Sequence, residues 1–327
     1  MKRILITGAG SYIGTQVKAY LGRFPEQYAV SELNMHGEDW KKFCFRDYDA
    51  IIHTAGIVHR ENTKQDPAFR ELYTQVNTEL PVQAAEKAKA EGVKQFLFLS
   101  TMSVYGLTAP LGKQVFITKD TPLHPVDYYG KSKLEAEERL LPMSDSTFRV
   151  VILRPPIVYG KGCKGNYRAL QAFAGKLPVF PLVENQRSML YIENLAELIR
   201  QLIDDEAAGI FCPQNDEYTN TSRMVADIAR AKGRRVVLVG GFTWALKLLG
   251  RWIPAVNKAF GSLCYDKALS DYGRGYCVKT LSESITETEN CKEWALCGKR
   301  RTSCFCASFF ILSTFPLPSC PMKRRWR

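Results

Sequence analysis

Residues 2–14 read Lys2-Arg3-Ile4-Leu5-Ile6-Thr7-Gly8-Ala9-Gly10-Ser11-Tyr12-Ile13-Gly14, and an amphipathic stretch continues to Leu21. A strand-length apolar run therefore meets a cluster of glycines that opens a helix, the pattern of strand, tight turn, helix. Glycine suits such a turn because a side chain would keep the backbone away from a pyrophosphate, whose charge the free N–H groups of the helix amino end can then receive. The apolar run reaches Gly8 before a secretory core can form, so a cytoplasmic location is expected.

Working outward, Tyr28–Leu33 reads as a short strand and Asp49–Thr54 as a buried parallel strand. Helical periodicity runs from Ala68 to Glu91 and stops at Gly92, and a second buried strand spans Gln95–Ser100. A Lys/Glu-rich helix from Tyr128 to Leu141 precedes a strand over Arg149–Arg154. Strands alternating with helices predict an α/β chain, a Rossmann-type doubly wound parallel sheet over residues 1–154. Beyond Pro155 the texture becomes Pro-, Gly- and polar-rich, which predicts a smaller C-terminal substrate lobe over 155–290 with returning sheet elements, placed at the carboxyl ends of the strands.

The 327 residues are 46% hydrophobic and 24% charged, ordinary for a globular protein. The net charge of +12 is concentrated: residues 291–327 hold eight basic residues and one acid, leaving +5 on the other 290. No basic stripe interleaved with aromatics is read in the body, so no nucleic-acid partner is expected, and the mild excess suits a small anion. Ten cysteines include no C-x-x-C pair and there are four histidines, so no metal site is expected and the thiols are read as reduced. The Cys-rich basic tail from Cys291 onward reads as a disordered appendage. Its apolar run, Phe305 to Leu317, is interrupted by Ser313, Thr314 and Pro316. That falls short of the ~20 residues of a spanning helix, and no membrane partner is expected.

Thr7-Gly8-Ala9-Gly10-Ser11-Tyr12-Ile13-Gly14 resembles the T-G-x-x-G-x-x-G fingerprint of the extended short-chain dehydrogenase/reductase family, NAD-dependent epimerase/dehydratase type. Gly8 and Gly14 match; Ser11 stands where the middle glycine is usual, and Gly10 can relieve the same turn. The resemblance implies that Gly8, Gly10, Ser11, Tyr12, Ile13 and Gly14 hold a dinucleotide. About twenty residues further on, NAD-using members carry an acid for the adenosine ribose. Here Asn34 occupies that place, near Glu32 and His36, and no arginine lies between Phe24 and Trp40 for the extra phosphate of NADP. NAD is the expected cofactor, with NADP left open. Ala55 and Gly56 correspond to the family's loop beneath the adenosine phosphates, and Asn77 to its helix asparagine.

Ser100-Thr101-Met102-Ser103-Val104-Tyr105-Gly106 ends a buried strand, and Tyr129 and Lys133 are four apart, hence on one helix face. A tyrosine of ordinary pKa ~10 becomes a proton acceptor near neutrality only with electrostatic help, which the lysine can give. By the resemblance Thr101 is the hydroxyl catalyst, with Ser103 as second choice, Lys133 reaches the nicotinamide ribose, and Tyr129 is the base. Met102 and Ser103 stand where sugar 4,6-dehydratases carry Asp-Glu, which disfavours that reaction. Leu153-Arg154-Pro155-Pro156-Ile157-Val158-Tyr159-Gly160 resembles the family's crossing into the sugar lobe, with Pro155 in the nicotinamide wall. Asn166, in a glycine-flanked loop, and Arg187 are candidates for the substrate diphosphate or sugar. Glu193 and Asn194 read alternatively as a helix cap before Leu195. The expected activity is NAD-dependent epimerisation of a nucleotide sugar, a UDP-sugar at C4. The alternatives are a 4-ketoreductase and a cofactor-sensing protein without turnover, and homodimerisation is expected from the family.

Overall fold

Six parallel strands carry the core, and their order sets where a ligand can bind. The computed structural model describes residues 1–58 and 67–290; the tail expected to be disordered lies outside the described residues. In chain order the elements begin β1 (Lys2–Thr7), α1 (Tyr12–Leu21), β2 (Tyr28–Leu33), β3 (Ala50–His53), α2 (Pro67–Thr74), α3 (Leu80–Ala90) and β4 (Gln95–Leu99). Then come β5 (Gln114–Ile117), α4 (Tyr128–Leu140), β6 (Arg149–Leu153), β7 (Ile157–Tyr159), α5 (Asn166–Lys176), β8 (Val179–Pro181) and β9 (Met189–Tyr191). The remainder is α6 (Ile192–Asp204), β10 (Gly209–Phe211), α7 (Thr221–Ala231), β11 (Val237–Val239), α8 (Thr243–Trp252), α9 (Pro254–Phe260), β12 (Ser262–Tyr265), α10 (Lys267–Ser270) and α11 (Leu281–Glu289).

The sheet runs β10-β6-β4-β3-β1-β2 with every pair parallel. Successive strand residues face opposite sides, and both sides are apolar. Ile4, Ile6, Ile52, Leu97 and Val151 pack with Val17 of α1 and Leu198 of α6. Leu5, Ile51, Phe96, Phe98 and Val150 pack with Val82 and Ala85 of α3 and Ala136 of α4. A strand buried on both faces needs this continuous apolar run. Strand order reverses between β1 and β3, so their following loops part at the carboxyl edge and open a crevice.

Residues 155–290 contribute β10 to this sheet and form two short parallel pairs of their own, β7 with β9 and β8 with β11, while β12 pairs back with β5 at residues 114–117. Three local readings change. The helix expected over 68–91 is interrupted by a π turn at Gln75–Glu79, which brings Asn77 and Thr78 to the same neighbour, Ser132 of α4. Asn166 is not in a loop; it is the exposed first residue of α5, after Gly165 at φ +85°. Glu193 and Asn194 do not cap α6, which begins earlier at Ile192. Glu193 pairs with Arg23 instead, and buried Asn194 bonds Asn215 and the backbone of Lys279.

Candidate active site

The loop after β1 lies against the loop after β3. Gly8 takes φ +103°, and a Cβ there would stand 2.5 Å from the Ala55 nitrogen, so only glycine permits the approach. Gly10 takes φ +76° with no atom within 4 Å of its Cβ position, so the space above the turn is open. Ser11 has ordinary extended backbone, φ −65°, so the family's middle glycine is not needed for conformation here; Gly10 carries the left-handed residue. The Ser11 hydroxyl caps α1 by accepting the Gly14 N–H at 3.2 Å and meets Thr54 Oγ1 at 2.7 Å, tying the two loops together. Among the described residues, no acceptor takes the backbone N–H of Gly10, Tyr12 or Ile13. Three donors at a helix amino end beside open space fit a diphosphate.

The other cofactor candidates are distributed around this cradle. Asn34 is exposed just beyond β2, and its Oδ1 accepts the His36 N–H at 3.0 Å, so the carboxamide presents its NH₂ outward. Glu32 pairs with Lys18 at 2.7 Å. Ala55 donates its N–H to the Thr7 carbonyl at 3.0 Å, and Asn77 clamps the same loop by bonding both the N–H and the C=O of Ile57. Tyr12 packs beneath Gly160 with its hydroxyl buried and unpaired, and Ile13 packs into the core. Pro155 is buried, its carbonyl accepting the Met102 N–H at 2.9 Å.

Across the crevice, Asp127 starts α4 by accepting the Gly130 N–H at 2.8 Å. A Cβ on Gly130 would lie 2.8 Å from the Ser103 carbonyl, so the helix approaches the loop after β4 closely. That approach brings Tyr129 and Thr101 together. Burial pushes the Tyr129 phenol up to about 12, the Thr101 hydroxyl facing it pulls the value down, and Asp127 and Tyr73 push it further up. Thr101 also caps the short turn that follows, accepting the Ser103 N–H at 3.1 Å, while Ser103 itself is exposed.

Lys133 is buried on the next turn and donates to the Leu99 carbonyl at 2.8 Å, above the Phe98 ring. Desolvation lowers it to about 7, and Glu137, a further turn along, raises it. The Lys133 ammonium is held by the Leu99 carbonyl. It borders the cradle all the same: a Cβ on Gly56 would lie 3.4 Å from Lys133 Nζ.

Beneath these groups lies a polar network that the sequence reading missed. Arg154 Nε bonds Glu137 Oε2 at 3.0 Å, with both side chains buried. Ser100 donates to the same carboxylate, Arg154 also donates to the Tyr105 hydroxyl at 3.0 Å, and Tyr265 donates to the Arg154 carbonyl at 2.7 Å. Two signals pointed to it: Glu137 shares the Tyr129/Lys133 helix face at i+4, and Arg154 is a charge ending an otherwise apolar strand. Between β8 and β9, the Arg187 guanidinium donates to the Lys258 carbonyl in α9. Burial lowers its pKa, and no carboxylate pairs with it among the described residues. A half-buried cation without a counter-ion among the described residues can receive an anion. The structure thus gathers Thr101, Tyr129, Lys133 and the glycine loop at one sheet edge; Asn166 heads α5 and Arg187 lies between β8 and β9.

Comparison with known proteins bears on the family and the fold. The model of the NAD dependent epimerase/dehydratase family matches residues 4–211. The UDP-glucose 4-epimerase of Vibrio cholerae is 32% identical over 313 residues, covering 88% of this chain and 94% of the relative. UDP-N-acetylglucosamine 4-epimerase from Bacillus cereus has a similar fold, with TM-score 0.66 at 15% identity over 88% of this chain and 98% of its own. RMD from Pseudomonas aeruginosa, solved with NADPH, gives TM-score 0.66 at 19% identity over the same shares.

Proposed function

Since the chain belongs to the NAD-dependent epimerase/dehydratase family, a family of NAD(P)-dependent enzymes, we propose that it inverts C4 of a UDP-sugar, with NAD as its resident cofactor. The observation that carries the reading is the meeting of the Tyr129 and Thr101 hydroxyls beside buried Lys133, at the edge where the glycine loop offers free N–H groups. The N–H groups of Gly10, Tyr12 and Ile13 would hold the cofactor diphosphate, and Asn34 would face the adenosine ribose. When bound, the oxidised dinucleotide supplies a cationic ring that takes up hydride and returns it.

Tyr129 takes the proton of the sugar hydroxyl while Thr101 holds the oxygen. A phenol near 12 is almost wholly protonated at neutral pH and so rarely offers the phenolate that accepts the proton, and positive charge brought beside it lowers that value. Lys133 is the nearby source once its ammonium turns from Leu99 towards the ribose. Tyr129 gives the proton back when the other face of the sugar is reduced, so the chain ends each cycle unchanged. Arg187 meets the substrate diphosphate with planar, charge-assisted hydrogen bonds.

The purified protein is expected to convert UDP-glucose to UDP-galactose with no cofactor added. A 4-ketoreductase would leave that sugar untouched and would consume NAD(P)H with a 4-keto substrate. Tyr129→Phe is expected to lower kcat about a thousandfold, within the range of general-base contributions, and a variant as active as the wild type would overturn the site.

A further inference from the structure

The lobe presents one helix face that nothing covers among the described residues. In α8, Thr243–Trp252, the residues separate into two arcs. Leu246 packs into the core, and a Cβ on Gly250 would stand 2.8 Å from Asn257 Oδ1 of α9, so this arc is the attached one. Trp244, Leu248, Leu249 and Trp252 point away from it, with exposures of 71%, 53%, 45% and 80%. Phe242 and Ile253 prolong the exposed apolar surface at the two ends. Lys247, whose side chain runs over Gly112, and Arg251 border it, both exposed.

Charge along this segment is one-sided: residues 236–265 contain Lys247, Arg251 and Lys258 and no Asp or Glu, while Arg230 and Lys232 further back are paired with Asp227 and Glu289. Basic and aromatic residues thus interleave along this helix. A helix with tryptophans at both ends of an apolar arc and cations along its border matches the layered chemistry of a bilayer surface, with acyl chains inside and anionic headgroups outside.

We propose that α8 lies in the plane of an anionic membrane, with Trp244, Leu248, Leu249 and Trp252 in the headgroup and acyl boundary and Lys247 and Arg251 on the lipid phosphates. This is surface docking and not spanning; no described helix is long and apolar enough to cross a membrane. A second copy of the chain is the poorer occupant, because it would set Lys247 and Arg251 against their own kind with no acid in the segment to pair them. Docking also places the element next to α9, whose Lys258 carbonyl receives Arg187. The inference does not depend on the reaction assigned to the site.

The test is flotation of the full chain with vesicles of phosphatidylcholine alone or mixed three to one with phosphatidylglycerol, at low and high salt. Wild type is expected to float with the mixed vesicles and to release as salt rises. Lys247→Gln with Arg251→Gln is expected to weaken partition about 30-fold, the weight of two surface cations at an anionic leaflet. Trp244→Ser with Trp252→Ser, and separately Leu248→Ser, are expected to weaken it roughly tenfold or more while epimerase activity on a water-soluble sugar nucleotide persists. Absence of wild-type flotation overturns the proposal. So does flotation unaltered in the α8 variants, which would assign binding to residues 291–327. A wild-type dimer that Trp252→Ser converts to monomer, by light scattering, would assign the face to a second copy.

Discussion

Glu137→Gln removes one charge from the network beneath the catalytic groups and leaves its volume nearly unchanged. Arg154 keeps its guanidinium buried, at 7% side-chain exposure, against a neutral amide. Breaking a buried pair in this way costs about 3–5 kcal/mol, because the remaining charge has neither water nor partner. For a chain of this size, 1 kcal/mol moves Tm by about 2–4 °C, so a drop of roughly 10 °C is expected by differential scanning calorimetry. The second readout is specific to the lysine. Glu137 is the group that raises Lys133 against the lowering by burial, so its loss moves the ammonium's titration further to the acid side. Activity that needs the charged lysine then falls at lower pH in Glu137→Gln than in the wild type. Glu137→Met with Arg154→Met removes both charges and is expected to recover at least half of the lost stability, short of full recovery because Ser100 and Tyr105 lose partners. A single variant melting within about 2 °C of the wild type would refute the claim that the two charges compensate each other out of water.

Gly8→Ala is expected to abolish cofactor retention, since the new methyl falls 2.5 Å from a backbone nitrogen at φ +103°; a purified variant that copurifies with stoichiometric NAD would contradict the loop assignment. His53 is fully buried, its Nδ1 bonded to Thr7 Oγ1 at 2.9 Å and its Nε2 unpaired, and burial lowers it to about 3. The folded protein therefore refuses a proton that the unfolded chain binds below pH 6.5, and stability is lost as pH falls from 6.5 towards 3. His53→Leu is expected to flatten that acid-side loss in urea melts at two pH values, and an equal loss in both proteins would count against it. Arg187→Met is expected to raise KM for the UDP-sugar about tenfold, roughly 1.4 kcal/mol of lost binding, with kcat little changed; an unchanged KM would take the diphosphate away from this arginine.

How much of this was legible in residue order depends on how far each interaction reaches along the chain. The alternation of apolar runs with helical periods, the glycines after β1, and the shared face of Tyr129 and Lys133 are properties of neighbours within a turn or a strand. Local sequence specified them, including a Ser11 that needs no glycine backbone. The π turn at Gln75–Glu79, the start of α6 at Ile192, the pairing of Glu137 with Arg154, and the capture of Lys133 by the Leu99 carbonyl join segments that only packing brings together. Burial was decided at that level too: it holds the Tyr129 phenol near 12 and the Lys133 ammonium near 7, because the cost of a charge depends on the surrounding dielectric, and that exists only once the chain has folded around it.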